Sequence, residues 1–453
     1  MMPVMLWTDA LVFLLLACGA AGAWYVRRQP HLLLPWQRVA QSRIGMVSLL
    51  VLSLFLLVGL LDSLHYRVAL PERNAGQTVY SPEVLSAFDA LAGNLRTHTE
   101  KTYSSPLATQ LYARETVELP DGATQRAYPR LKFGGAHLAN PDTEWMGDVA
   151  SRAALGGLEG ALAGGLLIAF LGWAKRDVST RESRRALFWS TLLLAALIGA
   201  TASLASGYHV LGTDKVGQDV LYLSLKSIRT GLVIGTVTTL VMLPFALFLG
   251  VAAGYFRGWV DDAIQYLYTV LSSIPSVLLI AAAVLMMQVV IEQHADWFAT
   301  AAERADVRLL CLCLILGVTS WTGLCRLLRG ETLKLRELEY IQAAQAFGVS
   351  SLRILTRHIV PNVMHIVLIS VVMDFSALVL AEAVLSYVGV GVDPSTISFG
   401  TMINAARLEL GREPVVWWML AAAFGFMLVL VLAANLFADA VRDAFDPRLN
   451  RMA

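Results

Sequence analysis

The chain has 453 residues, 57% of them hydrophobic and 15% charged, with a formal net charge of +1. Its mean hydropathy of +0.61 excludes a soluble globule and requires lipid around much of the chain. Cys18, Cys311, Cys313 and Cys325 all lie in apolar runs without metal-ligand or redox spacing, so they read as small packing residues, and no metal is expected.

In chain order, residues 6–24 form the first spanning candidate, close to the ~20 residues a bilayer needs. Leu15-Leu16-Ala17-Cys18 resembles a lipoprotein cleavage box, but no Lys or Arg precedes the run and Asp9 does, contrary to a signal peptide. Arg27, Arg28, Arg38 and Arg43 follow it, which places the N-terminus outside and the loop 27–43 inside. Residues 44–61 return outward, completing an N-terminal pair of spans over 1–61.

Residues 62–152 are polar and broken by Pro71, Pro106, Pro120, Pro129 and Pro141, with enough apolar residues for a small extracytoplasmic cap. Helical spacing runs over 81–95, with Ser81 as cap and Pro82 at the first helical position. His98 and His137 read as isolated, and no catalytic constellation is visible. Two further spans, 154–173 and 187–204, flank a charged inner hairpin at 175–185 and make up the segment 153–207. Gly156, Gly157, Gly160, Gly164 and Gly165 in the first favour close helix–helix approach.

The remainder, 208–453, opens on His209-Val-Leu-Gly212-Thr213-Asp214-Lys-Val-Gly217-Gln218-Asp219-Val220, in which Asp214 and Asp219 flank a glycine turn and can cap the helix that follows. Spans follow at 231–255, at 263–290 with Pro275 kinking it, at 309–328, at 364–385 and to about 437. The sum is an all-α polytopic membrane protein of nine spans, N-terminus out and C-terminus in. Asp374 and Glu382 lie within a span, where ionisable groups face a bundle interior or water, as interhelical polar contacts or a pathway. Trp417 and Trp418 fall where an interfacial aromatic belt is expected.

Between the spans at 309–328 and 364–385 lies a short polar helix–turn–helix, within the loop 337–361. Ala343, Ala344 and Ala346 favour a helix with almost no bulk, Gly348 stops it, and Ser350 or Ser351 can cap a second helix. Val360 and Pro361 end or kink that helix. Such a small-residue face suits a partner that approaches the backbone closely. An ordinary cytosolic loop is the plainer reading. A DNA-reading helix–turn–helix is the third, since Arg353 and Arg357 could meet phosphates. The flanking spans leave no free face for DNA, and the positive-inside rule already accounts for the arginines, so no nucleic acid is expected.

The same stretch resembles the "EAA" loop of ABC-importer permeases: Gln342, Ala343 and Ala344, then Gly348, then Ile359, Val360 and Pro361, with Gln342 where glutamate is usual. Gly212, Thr213, Asp214, Gly217, Asp219 and Val220 match the opening segment of dipeptide and oligopeptide permeases. Gly254 to Asp261, the surroundings of Glu382, Ser398 to Gly400 and the tail from Asn435 to Arg448 are similar to the same family, so the resemblance covers about 211–448. It implies an inner-membrane permease of the dipeptide/oligopeptide/nickel importer group, translocating peptides by alternating access. Its ATPase-docking residues would be Ile341, Gln342, Ala343, Ala344, Gly348, Ile359 and Pro361. Its implied partners are a second homologous permease forming a heterodimer, two ATPase subunits holding ATP and Mg, and an extracytoplasmic substrate-binding protein. No cofactor and no catalytic residue are expected on this chain, which carries no G-x-x-x-x-G-K-[ST] loop. An ion-coupled carrier using Asp374 and Glu382, or a membrane sensor or scaffold using 62–152, are the competing functions; an intramembrane enzyme lacks any matching constellation.

Overall fold

The computed structural model describes residues 2–70, 80–118, 124–174, 180–298 and 300–445. Its helices are α1 (Trp7–Arg28), α2 (Pro30–Gln41), α3 (Arg43–Asp62), α4 (Ala87–Leu91), α5 (Gly93–Thr97), α6 (Pro141–Ala174), α7 (Arg181–Ala205), α8 (Val220–Phe256), α9 (Gly258–Ser273), α10 (Ser276–Gln293), α11 (Ala301–Ser320), α12 (Thr322–Arg336), α13 (Glu339–Ala346), α14 (Ser351–Ile354), α15 (Val360–Val388), α16 (Phe399–Glu409) and α17 (Trp418–Phe445). Strand β1 (Met2–Val4) pairs antiparallel with β2 (His65–Arg67), which pairs with β3 (Leu85–Ser86); β4 (Glu115–Glu118) and β5 (Thr124–Ala127) form a hairpin. Among the described residues, nine helical stretches are long and apolar enough to cross a bilayer, matching the expected number.

The chain divides into two compact units. One comprises Met1–Val4, Trp36–Thr230 and Ile397–Ala433. Its core gathers Phe88, Tyr103, Val220, Tyr222, Met402, Ala406, Val416 and Trp418. Within it α6 and α7 touch backbone to backbone: a Cβ on Gly160 would stand 2.1 Å from the Ala195 carbonyl oxygen. Leu155, Leu158, Leu162, Leu166 and Phe170 are exposed along α6, a face suited to acyl chains rather than water. The other unit comprises Met5–Pro35, Gly231–Thr396 and Ala434–Ala453. One of its cores surrounds Leu309, Leu312, Leu316, Val233 and Val237; another joins Tyr255, Leu328, Ile341, Ile354, Ile359 and Val363.

Several local expectations are corrected. The helix expected over 81–95 starts only at Ala87, because Ser86 and Asp89 close a reciprocal capping box, while Leu85 and Ser86 pair with β2. Pro275 does not kink one continuous span; α9 ends at Ser273 and Pro275 stands at the N-cap of α10, where its missing N–H costs nothing. Val360 and Pro361 do not end the helix. A π-turn over Leu355–Ile359 precedes α15, Val360 is helical, and Pro361 falls in the first turn, where no N–H is required. Ser350 occupies an N-cap position, but its side chain makes no capping bond.

Trp418 is 2% exposed and donates its indole N–H to the Thr213 carbonyl, so it belongs to a core and not to an aromatic belt; Trp417 remains exposed. His137 and His98 are not isolated: His137 bonds Asp148 at 2.7 Å and His98 stacks on Phe133. The charged hairpin at 175–185 and the terminal motif Asn435 to Arg448 lie partly outside the described residues.

Candidate functional site

The helix–turn–helix of 337–361 is built around one buried anchor. Ile341 is fully buried with Ile354 and Ile359 from the far side of the turn, while Ala344 packs against the same core. The turn is closed by the Gly348 N–H on the Gln345 carbonyl at 3.0 Å and the Val349 N–H on the Ala344 carbonyl at 3.1 Å. Gly348 sits at φ +74° between them, a Schellman stop that an L-residue enters only with strain. Facing outward are Gln342, Ala343 and Pro361, with Phe347 at 87% and Leu352 at 72% exposure. The structure therefore brings Ile341, Gln342, Ala343, Ala344, Gly348 and Ile359 into one folded element, and Pro361 borders it on α15. Small residues beside exposed Phe347 and Leu352 make a knob with an apolar tip, held from behind.

Gln342 donates its amide to the Glu337 carbonyl at 3.2 Å and lies 3.5 Å from the Glu337 carboxylate. Glu337 in turn pairs with Arg257, both largely exposed. Gln342→Glu would lose the donor and set two carboxylates together, but at an exposed position this costs at most about 0.5 kcal/mol. Uptake in that variant is expected within about twofold of wild type; complete loss would show that charge is excluded from the position.

The second group of expected residues forms a turn before α8. Asp219 accepts the N–H groups of Leu221 and Tyr222 at 2.8 and 3.3 Å and so caps the helix. Asp214 does not: it accepts from Val216 and Gln218 within the glycine turn instead. Thr213 accepts the Ser104 N–H at 2.6 Å, and the Glu100 N–H donates to the Gly217 carbonyl at 2.9 Å. Gly212, Thr213, Gly217 and Asp219 are buried against this segment.

Sequence reasoning missed His209, the centre of that packing. Its Nδ1 lies 2.7 Å from Asp219 Oδ2 and its Nε2 3.4 Å from Glu100 Oε1, the latter a charge contact rather than an aligned hydrogen bond. Burial opposes its protonation, but Asp219 and Glu100 outweigh burial and push it up to about 9. Burial likewise disfavours a charged Glu100. Contact with His209 and the N–H groups of Lys132, Phe133 and Gly134 prevail and hold it at about 2. The sequence offers only Asp219 near this histidine; the second carboxylate, Glu100, arrives from far upstream and leaves no local signal.

Glu382 is 1% exposed and accepts the Ser386 hydroxyl at 2.7 Å, one turn along its own helix. Asp374 is half-buried and makes no hydrogen bond or ion pair among the described residues. The two are eight residues apart on α15, and neither adjoins the exposed knob.

Apolar helical stretches long enough to span a bilayer, carrying an anchored helix–turn–helix, define a polytopic membrane protein. Residues 246–451 match the family described as binding-protein-dependent transport system inner membrane component. The oligopeptide transport system permease protein OppC of Mycobacterium tuberculosis is 33% identical over 239 residues, 53% of this chain and 76% of that protein. OppC of Bacillus subtilis is 28% identical over 243 residues (54% and 73%), and the glutathione transport system permease protein GsiD of Pectobacterium atrosepticum 32% over 244 residues (54% and 74%). The chain belongs to the family of binding-protein-dependent transport inner-membrane components. It is a permease subunit and a multi-pass protein of the bacterial inner membrane.

Proposed function

We propose that this chain carries peptides inward across the membrane as one half of an ATP-driven importer. In this reading it pairs with a second homologous permease, two ATPase subunits that hold ATP and Mg, and an extracytoplasmic binding protein, and it binds no cofactor itself. The observation that carries the reading is the anchored knob: Ile341 fully buried behind it, Phe347 at 87% exposure in front of it. An apolar tip of this kind on a polar loop has no use in water and fits a groove on another subunit. Closing of the ATPases would push on Ala343 to Gly348 and turn the attached spans, giving alternating access. The peptide class rests on the names of the relatives, such as oligopeptide transport system permease protein. Asp374 and Glu382 would be polar groups of the pathway or of its walls, and the N-terminus and 62–152 would lie outside.

The test uses the tagged full chain with Cys18, the exposed native thiol, replaced by serine and a cysteine placed at 347. Crosslinking from 347 to a co-purified ATPase of the P-loop type is the expected result. A chain that purifies alone and crosslinks to nothing from 347 refutes the docking role.

A further inference from the structure

Behind the knob lies a set of contacts that docking alone does not require. α8 and α12 meet at backbone distance: a Cβ on Gly250 would stand 2.7 Å from the Cys325 carbonyl oxygen, and one on Gly254 2.8 Å from that of Arg329. Just past α8, Arg257 adopts φ +56°, a costly conformation for a residue with a side chain, and turns the chain into α9. That turn presents Asp261 to Arg329 on α12. Arg329 Nε and a terminal nitrogen donate to the two carboxylate oxygens at 2.6 and 2.7 Å. Both side chains are largely shielded, at 24% and 12% exposure, and Arg329 holds the Asp261 carboxyl below the usual carboxylate range.

The same turn reaches the docking loop. Arg336, at the end of α12, donates to the Tyr255 carbonyl at 2.8 Å, and the Tyr255 hydroxyl accepts from Gln345 at 3.5 Å. The inner end of α8, the α8–α9 turn, α12 and α13 are thus joined at several points. A hydrophobic pair would hold two helices together as firmly. What a bidentate guanidinium–carboxylate pair adds is a fixed orientation.

Resting on the docking reading above, we propose that Arg329 and Asp261 are positioning residues for energy transfer. Their pair makes the docking loop, α12 and the inner end of α8 move as one body, so that a push on the loop turns α8 instead of being absorbed at the α8–α9 turn. The groups facing the pair support this assignment: Tyr255 ties Arg336 and Gln345 to the same turn, and Arg257 with Glu337 closes it from the side.

The experiment compares full importer complexes reconstituted in liposomes. A defined mixture of di- to hexapeptides is supplied, and peptide accumulated is measured per ATP hydrolysed. Arg329→Lys and Asp261→Asn should leave the amount of assembled complex and its ATP hydrolysis near wild type. They should lower peptide moved per ATP by about three- to tenfold. The exchanged pair, Arg329→Asp with Asp261→Arg, should recover part of the ratio, which a general loss of stability would not do. An unchanged ratio in both single variants, or a ratio that falls only with the amount of assembled complex, overturns the proposal. A wild-type chain that recruits no ATPase fails differently, since it removes the docking reading before the pair is reached.

Discussion

Replacing Gly348 with valine should reduce uptake about tenfold or more while the protein still reaches the membrane at its normal level. Gly348 holds φ +74°, and a Cβ there would meet nothing within 4 Å. The penalty is therefore in the backbone and not in a clash. A left-handed conformation costs an L-residue about 1–2 kcal/mol, and a β-branched side chain is the least tolerant of it. The turn relieves that strain by giving up the bonds from Gly348 and Val349 to Gln345 and Ala344. Phe347, next to the turn, then loses its place relative to Ile341. Each 1.4 kcal/mol is a factor of ten in the population of the competent turn. Gly348→Asn is the control, because asparagine enters the left-handed region more readily, and it should retain most of the uptake. Uptake normalised to the immunoblotted membrane level decides the matter: full activity in the valine variant would remove this turn from the mechanism.

His209→Leu should destabilise the unit that contains it by about 3–5 kcal/mol, because it strands two buried carboxylates without their cation. Glu100 and Asp219 have side chains only 3% and 1% exposed. The pH dependence follows from the directions of the shifts. His209 is raised from 6.5 to about 9, so its contribution is complete below pH 6.5 and disappears as pH rises through about 9. Glu100 is lowered from 4.5 to about 2, so its contribution is complete above pH 4.5 and disappears as pH falls through about 2. The clamp is strongest between about pH 4.5 and 6.5. Limited proteolysis of the purified protein, scored for cuts within 62–152, should show protection that declines between pH 7 and 10. Protection that stays flat across that range, or a leucine variant as resistant as wild type, would sink the idea.

The long apolar runs were legible in the sequence because hydropathy is summed over many residues and tolerates local error. Gly348 was legible too, since a glycine after an alanine-rich helix has few other uses. What escaped was set by partners distant in the chain. Pro275 and Pro361 look alike as breakers of apolar runs, yet one starts a helix and the other sits inside a first turn opened by the preceding π-turn. Trp418 could not be told from Trp417 without the Thr213 carbonyl, 205 positions away. Ser81 and Ser86 are equally good caps by composition; pairing of Leu85 with Tyr66 chose between them. His209 carried no signal of its own in the sequence, because its second carboxylate comes from Glu100. Asp214 and Asp219 were both expected as caps, and only the second had a helix within reach of its oxygens.

The contact between α6 and α7 has a consequence for the order in which the protein is made. Gly160 and Ala195 lie close together in the chain, and the surfaces that join are complete once residue 205 has been synthesised. Closing so short a loop costs little, and no later segment is needed to fill the seam. The hairpin can leave the insertion machinery already zipped, with its leucine stripe in lipid, before α8 exists. The helices that carry the docking loop are then made only after this pair has closed.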